Sequence, residues 1–296
     1  MDTAALQATV ASNARARGAS SLCRSAFWDG ALRLLTKASR VFIVTGFYIR
    51  ASGACETDGP PGAVILGRAL ERAGKSVLLL TDRRNHKCLE ACSRSVGGPA
   101  VACADDPSEV PLAGRRSGGS RPPAERSPSD GADLLIFIER PGAAADGRYY
   151  NMKGLDISDV VTPLDALAES AMRGGIPVLA IGDGGNEAGM GLLYDSLIEV
   201  LPDHYARCIS KVPSDVCLPV DVSNWGGYAL AALLSSFYRR WLGLDEGEEE
   251  EMLRALLEAG AVDGVSGAAD MSVDGVPPGE LNKVSLAIRS WYLRSL

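Results

Sequence analysis

Apolar residues recur along the chain in two alternating rhythms. Residues 22–38 place Phe27, Ala31, Leu34 and Leu35 at helical spacing, and residues 41–47 then form an unbroken apolar run. A run of that length, rich in β-branched and aromatic side chains, suits a strand buried on both faces. The pair then repeats. A helix is predicted over 63–73, opened by Pro60 and Pro61 and closed by Gly74, and a second buried strand over 76–81. A helix over 85–95 leads to a short strand over 100–103. Residues 133–139 and 176–182 form two more apolar strands, with a helix over 163–173 between them. Helical spacing continues over 186–201 and 227–242, separated by a strand-like stretch over 216–222. The acidic run 246–251 opens another helix, where acids complement the helix dipole. Residues 271–275, followed by Pro277, read as a hairpin arm, and 280–296 as a terminal amphipathic helix.

This alternation predicts an α/β fold: a mostly parallel sheet with helices on both faces, a Rossmann-like three-layer sandwich. Residues 105–131 break the rhythm. They are rich in Gly, Ser, Pro and Arg and read as a disordered insertion within one domain spanning 1–296, not as a boundary. In such sheets ligands gather at the carboxyl ends of the strands, so the loops that follow strands are where chemistry is expected.

Composition narrows the possibilities. The 296 residues are 46% hydrophobic and 23% charged, ordinary for a chain with a core. A net charge of −7 and a pI near 5.0 argue against nucleic acid and against an anionic membrane surface as partners. No apolar run reaches the roughly 20 residues of a membrane helix. The seven cysteines are odd in number and scattered, which predicts free thiols in a reducing compartment. His86, Cys88 and Cys92 lie close together, but a zinc site needs a second ligand pair and none follows. The first 25 residues carry Arg15, Arg17 and Arg24 against one acid, Asp2. That pattern fits an organelle presequence or the start of a surface helix, so mitochondrial matrix and cytoplasm both stay open. The oligomeric state is not legible.

Four polar clusters follow predicted strands. The first holds Thr45, Gly46 and Phe47, then Glu56, Thr57, Asp58, Gly59, Pro60, Pro61 and Gly62. It runs into a helix N-terminus, which favours an anion; Glu56 and Asp58 can act as acid or base, or Asp58 can simply cap the turn. The second holds Glu139, Arg140, Pro141 and Gly142, then Tyr149, Tyr150, Asn151 and Met152. Arg140 suits bidentate pairing with a substrate carboxylate, or an internal ion pair. In the third, Gly182, Asp183, Gly184, Gly185, Asn186, Glu187, Ala188, Gly189, Met190 and Gly191, glycines permit close backbone approach to a ligand. It matches neither the Walker nor the dinucleotide pattern. Asp183 and Glu187 suit general acid–base work or Mg²⁺ ligation; alternatively Asn186 caps a helix behind a tight turn. The fourth is Asp221, Val222, Ser223, Asn224, Trp225, Gly226 and Gly227. Ser223 or Asn224 can cap the next helix, and Trp225 either faces a ligand or packs in the core. His204 reads as a surface residue, and no G-x-S-x-G elbow supports a serine triad.

These same stretches resemble the C-terminal domain of the D-glutamate cyclase family. The resemblance runs through Thr45 to Phe47, Glu56 to Ala63, Glu139 to Ala143, Tyr149 to Met152, Gly182 to Glu187, Gly189 to Gly191, Ser223 to Leu230, Val265 to Gly267 and Val273 to Gly275, in family order. It implies conversion of D-glutamate to 5-oxo-D-proline with loss of water, and it carries no residue roles.

From the residues themselves, the expected catalytic groups are Glu56, Asp58, Asp183 and Glu187. Asp183 or Glu187 would be the base and Glu56 or Asp58 the acid. Substrate contacts are expected from Thr45, Gly46, Thr57, Gly59, Glu139, Arg140, Tyr150, Asn151, Gly184, Gly185, Asn186, Ser223, Asn224 and Trp225. No cofactor is expected, and no dedicated motif marks a Mg²⁺ site. The competing readings are a phosphate- or nucleotide-using transferase on the same scaffold, and a non-catalytic domain that binds a small amino acid.

Overall fold

The computed structural model describes residues 2–112 and 131–296. Eight strands and nine helices are described: β1 (Arg40–Thr45), β2 (Tyr48–Ile49), β3 (Ala54–Cys55), β4 (Ser76–Thr81), β5 (Val101–Cys103), β6 (Leu134–Ile138), β7 (Val178–Gly182) and β8 (Val216–Pro219). The helices are α1 (Thr3–Val10), α2 (Ser25–Lys37), α3 (Pro60–Arg72), α4 (Arg83–Ser95), α5 (Ala166–Arg173), α6 (Tyr194–Val200), α7 (Ser223–Tyr238), α8 (Glu248–Ala259) and α9 (Pro278–Arg294). Six strands form one parallel sheet in the order β5-β4-β1-β6-β7-β8. Counting only these six, that is the order third, second, first, fourth, fifth, sixth of doubly wound sheets. The chain winds one way from β1 and the other way from β6, so the switch point lies between these neighbours.

Alternation along the strands splits the core in two. Val41 and Ile43 point to the face packed by α2, α3 and α7, with α9 lying over α7, while Phe42 and Val44 join Leu135, Phe137 and α5 on the other. This is the expected three-layer α/β architecture. Register levels the strand ends: Thr45 pairs with Ile138, Ile138 with Ile181, and Gly182 with Pro219. Thr45, Glu139 and Asp183 therefore emerge along one edge.

Several local expectations change. The stretch expected to be helical over 186–201 starts with a turn, because Gly189 adopts φ +93°; a short 3-10 helix and α6 follow. α7 begins at Ser223, four residues before the expected start, since Asp58 on another element accepts its first N–H groups. The loop after β1 contains the small β2–β3 hairpin. In the expected insertion, Asp106 caps a turn over Pro107–Glu109, and Val110 and Leu112 are buried against the β6 face; its residues 113–130 lie outside the described residues. The N-terminal helix lies on the surface with one face anchored: Leu6 and Val10 are wholly buried in the main core, while Asp2, Ala4 and Ala5 are exposed. All seven cysteines are free. Among the described residues no helix is long and apolar enough to cross a membrane.

Candidate active site

The loop after β1 runs through the β2–β3 hairpin and delivers Asp58 to the start of α3. Gly59 takes φ +98° there, and a Cβ on it would lie 2.8 Å from both the Thr45 hydroxyl and the Glu139 Cβ, so only glycine fits. Asp58 does not cap its own helix. Its carboxylate accepts N–H bonds from Ser223 (2.9 Å), Asn224 (2.8 Å) and Gly59 (2.9 Å), capping α7 from 165 residues away. Asn224 reciprocates: its Oδ1 accepts from the N–H groups of Gly59 and Gly62, both at 2.9 Å, and its Nδ2 donates to the Thr57 carbonyl. The N-termini of α3 and α7 are thus locked together beside the strand ends.

Glu139 follows β6 with φ +44°, a strained conformation for a residue with a side chain. Its carboxylate accepts a 2.6 Å bond from the Ser223 hydroxyl. Asp183 follows β7. Its side chain meets Arg17 at 2.5 Å, and the same guanidinium nitrogen lies 2.9 Å from Asp274. Oxygens of Asp58, Glu139 and Asp183 all fall within 4.8 Å of one another. The three residues are 1%, 6% and 3% exposed, which makes this a dry cluster of like charges.

The electrostatics follow from that geometry. Burial, then the charge of Asp274, pushes Asp58 up to about 7, against the pull of its three N–H partners. Burial raises Glu139 well above the usual carboxylate range, with Glu187 and Asp58 adding to it. Asp183 is likewise raised by burial, and Arg17 opposes the shift. Glu56, 7% exposed, is raised by burial and by Asp274 and Asp58. Like charges this close cannot all ionise, so the cluster retains protons near neutrality.

The remaining expected residues divide between the cluster and its frame. Glu187 is spent on its own loop, accepting N–H bonds from Asp183 (3.0 Å), Gly184 (2.7 Å) and Gly185 (2.7 Å). It positions Asp183 instead of acting as a free base. Asn186 caps no helix; its Nδ2 donates to the Tyr150 carbonyl. Tyr150 hydrogen-bonds Asp146, and Asn151 accepts from two backbone N–H groups of its own turn. Thr57 donates to the Ser272 carbonyl. Trp225 packs in the main core, so the ligand-facing alternative does not hold. Arg140 also departs from its substrate-binding role. Its guanidinium is 1% exposed, bound 2.6 Å from Asp82 and donating to the carbonyls of Gly46 and Thr162. The internal ion pair is the alternative that obtains, and it braces the Gly46 turn. The Thr45 hydroxyl is buried and has no partner.

The cation that does reach the acids is Arg17, from the segment that as sequence resembled a presequence or surface helix. Asp274 was equally unassigned. It sits at φ +56° in the tight turn joining Val273 to Val276, and Asp263 holds that turn through the Gly275 N–H. The only advance signal for Asp274 was its place in a family-like stretch; Arg17 had none. A cavity of about 590 Å³ lies elsewhere, between α8 and α9, lined by Glu249, Leu253, Leu281 and Arg289. It includes no strand-end residue.

Comparison with known proteins bears on this arrangement. The mitochondrial D-glutamate cyclase of Homo sapiens is 32% identical over 289 residues, covering 86% of this chain. The chain spans about half the length of that relative, 46%. A solved structure, an exopolyphosphatase-related protein from Bacteroides fragilis, aligns over 91% of this chain and 57% of its own. At 10% identity and a TM-score of 0.35 it is too distant to inform the site. The family described as D-glutamate cyclase-like, C-terminal, matches residues 6–287, nearly the whole chain from the buried face of α1 into α9. By that match and by the human relative, the chain belongs to the D-glutamate cyclase-like family and corresponds to its C-terminal part.

Proposed function

We propose that this chain closes D-glutamate to 5-oxo-D-proline with release of one water. Family membership supports the reaction class. The observation that carries the reading is the cluster of Asp58, Glu139 and Asp183 within 4.8 Å, beside Arg17, at the edge where a doubly wound sheet binds its ligands.

Ring closure needs a base, an acid and an electrophilic carboxyl group. Asp183, whose ionised form Arg17 favours, takes a proton from the α-ammonium. The freed nitrogen attacks the γ-carboxyl carbon, forming the C–N bond and a tetrahedral oxyanion, which Arg17 stabilises. Glu139, kept protonated by burial and bound by the Ser223 hydroxyl, gives its proton to one γ-oxygen. Asp183 passes the ammonium proton to the same oxygen, so that it leaves as water when the C–O bond breaks, and the nitrogen's second proton returns to Glu139. Holding glutamate folded supplies further acceleration through proximity. Asp58 fixes the two helix ends that frame this pair.

Incubation with D- and L-glutamate, followed by chiral detection of 5-oxoproline, tests the reading. D-glutamate should yield product, and Asp183→Asn and Glu139→Gln should each lower kcat by about 10²–10⁴-fold. If neither enantiomer yields 5-oxoproline, the cyclase reading fails. D-glutamate binding without product would then support a binding domain, and a thermal shift confined to ATP·Mg²⁺ would support a phosphate-using enzyme.

A further inference from the structure

We propose that Asp221 is a positioning residue for the ring closure: it pins the strap formed by residues 11–18, so that Arg17 stands against Asp183 before substrate arrives. The catalytic consequence rests on the cyclase reading; the pinning itself does not. Asp221 lies between β8 and α7, two residues before Ser223, whose hydroxyl binds Glu139. Its own carboxylate turns the other way. The hydrogen bonds it accepts come from Ser12 and Ala14 in the strap and from Ser20 just beyond it.

Local preference does not set Arg17 in place. Ser12, Asn13, Ala14 and Ala16 are exposed, and Asn13, Ala16 and Gly18 take φ of 60°, 53° and 94°. Asn and Gly accept that left-handed region readily, whereas Ala does not. An exposed run of turns has many alternatives, and an arginine on it keeps its rotamers unless something outside the run removes them. Asp221 does so. One of its oxygens accepts from the Ser12 N–H (2.9 Å), the Ser12 hydroxyl (3.1 Å) and the Ala14 N–H (3.3 Å). The other accepts from the Ser20 hydroxyl at 2.6 Å. Its N–H donates to the carbonyl of Val10 (2.8 Å), where α1 ends. One residue, 2% exposed, thus grips the strap on both sides of Arg17.

Within that grip the strap closes on itself. The Asn13 carbonyl accepts from the Ala16 N–H, and the Asn13 Oδ1 accepts from the Gly18 N–H. Arg15 donates to the Asp274 carbonyl, and one nitrogen of Arg17 reaches both Asp183 and Asp274. Arg17 is the most exposed of these three charged groups, 21% at its side chain against 4% and 5%, so water competes for it. A guanidinium that stabilises an oxyanion is effective when it is already in place as the charge develops. The entropy of placing it is lost on folding, through Asp221, and not at each turnover. Asp221 therefore acts on the reaction through Arg17.

Hydrogen exchange of the full chain, followed by mass spectrometry, reads the strap without substrate. In Asp221→Ala the amides of Ala16 and Gly18, which bond to Asn13 and not to Asp221, should exchange about tenfold faster or more, with α1 unchanged. Rates of 5-oxoproline formation read the consequence. Asp221→Ala should lower kcat by about tenfold or more, with little change in KM, because the interaction lost belongs to the transition state. Asp221→Asn keeps one acceptor oxygen for Ser12 and Ala14 and can donate to the Ser20 hydroxyl, so it should stay within about threefold of wild type in both measurements. In an Arg17→Ala background, Asp221→Ala should cost less than about twofold in kcat, whereas its effect on the urea midpoint should be the same in both backgrounds. Near-UV circular dichroism identifies a variant that does not fold. If Asp221→Ala is one, Ser12→Ala combined with Ser20→Ala removes a bond on each side of Arg17 and carries the same comparisons. Unchanged exchange at Ala16 and Gly18, or equal kcat losses with and without Arg17, overturns the proposal. If wild type forms no 5-oxoproline, the cyclase reading falls by itself, and the exchange comparison alone decides whether Asp221 holds the strap.

Discussion

Two arginines show how similar residues take different work from their surroundings. Arg140 is buried with Asp82: its guanidinium donates to that carboxylate and to the carbonyls of Gly46 and Thr162, while Asp82 also accepts from the N–H groups of Arg84 and Asn85. Removing one member of such a pair leaves an uncompensated buried charge, so Arg140→Met should cost about 3–5 kcal/mol in urea unfolding. Arg17 instead bridges two acids at a partly open position, 21% exposed at its side chain. Arg17→Lys keeps the charge but loses the planar fork. It should therefore leave the urea midpoint near wild type while lowering kcat/KM for D-glutamate at least tenfold. Equal stability losses in the two variants would contradict the division between frame and site. Sequence made Arg140 the attractive choice because it follows a strand; it could not reveal that Asp82, from the loop after β4, claims it first.

At the scale of elements, the site depends on how closely α3 and α7 approach. Gly62 and Gly227 touch: a Cβ on Gly227 would lie 2.4 Å from the Gly62 carbonyl oxygen, and one on Gly62 would lie 2.8 Å from the Asn224 Cα. Those obstacles are backbone and cannot swing aside. Gly227→Ala should thus destabilise the fold by about 1–3 kcal/mol through overpacking. It should also lower kcat, because Asp58 and Ser223 ride on the two helix ends being separated. Gly279, near the start of α9, has nothing within 4 Å of its added Cβ. Gly279→Ala should stabilise by about 0.5–1 kcal/mol, through lower unfolded-state entropy, with activity unchanged. Urea titration beside steady-state rates checks both. The pattern of apolar positions foretold that α3 and this glycine-bearing helix exist. Their contact is not periodic in sequence, and Asp58 capping α7 could not be read from either helix alone.

For the whole molecule, net charge and buried acids set the response to pH. Glu249 on α8 is raised by burial, eased by the Ser285 hydroxyl and Tyr228, and it lies away from the strand ends. Its folded form holds a proton more tightly than the unfolded chain, so its contribution to stability is fully present below the ordinary carboxylate range and lost as pH rises through and above it. Glu249→Gln should flatten the fall in Tm between pH 5 and pH 8, measured by calorimetry in chelator; an unchanged slope would rule out Glu249 as a source. The strands, the parallel sheet, the helices on both faces and the strand-end loops were legible in the chain, because burial on two faces demands continuous apolar runs and turns demand glycine and proline. The convergence of Asp58, Glu139 and Asp183 was implied only to the extent that parallel strands end on one edge. What tertiary structure alone decided is which carboxylates meet, which are spent on backbone N–H groups, and that Arg17 and Asp274, 257 positions apart, close the cluster. Sequence specifies local preference through nearest neighbours, whereas partners brought together by packing depend on the register and close approach of whole elements.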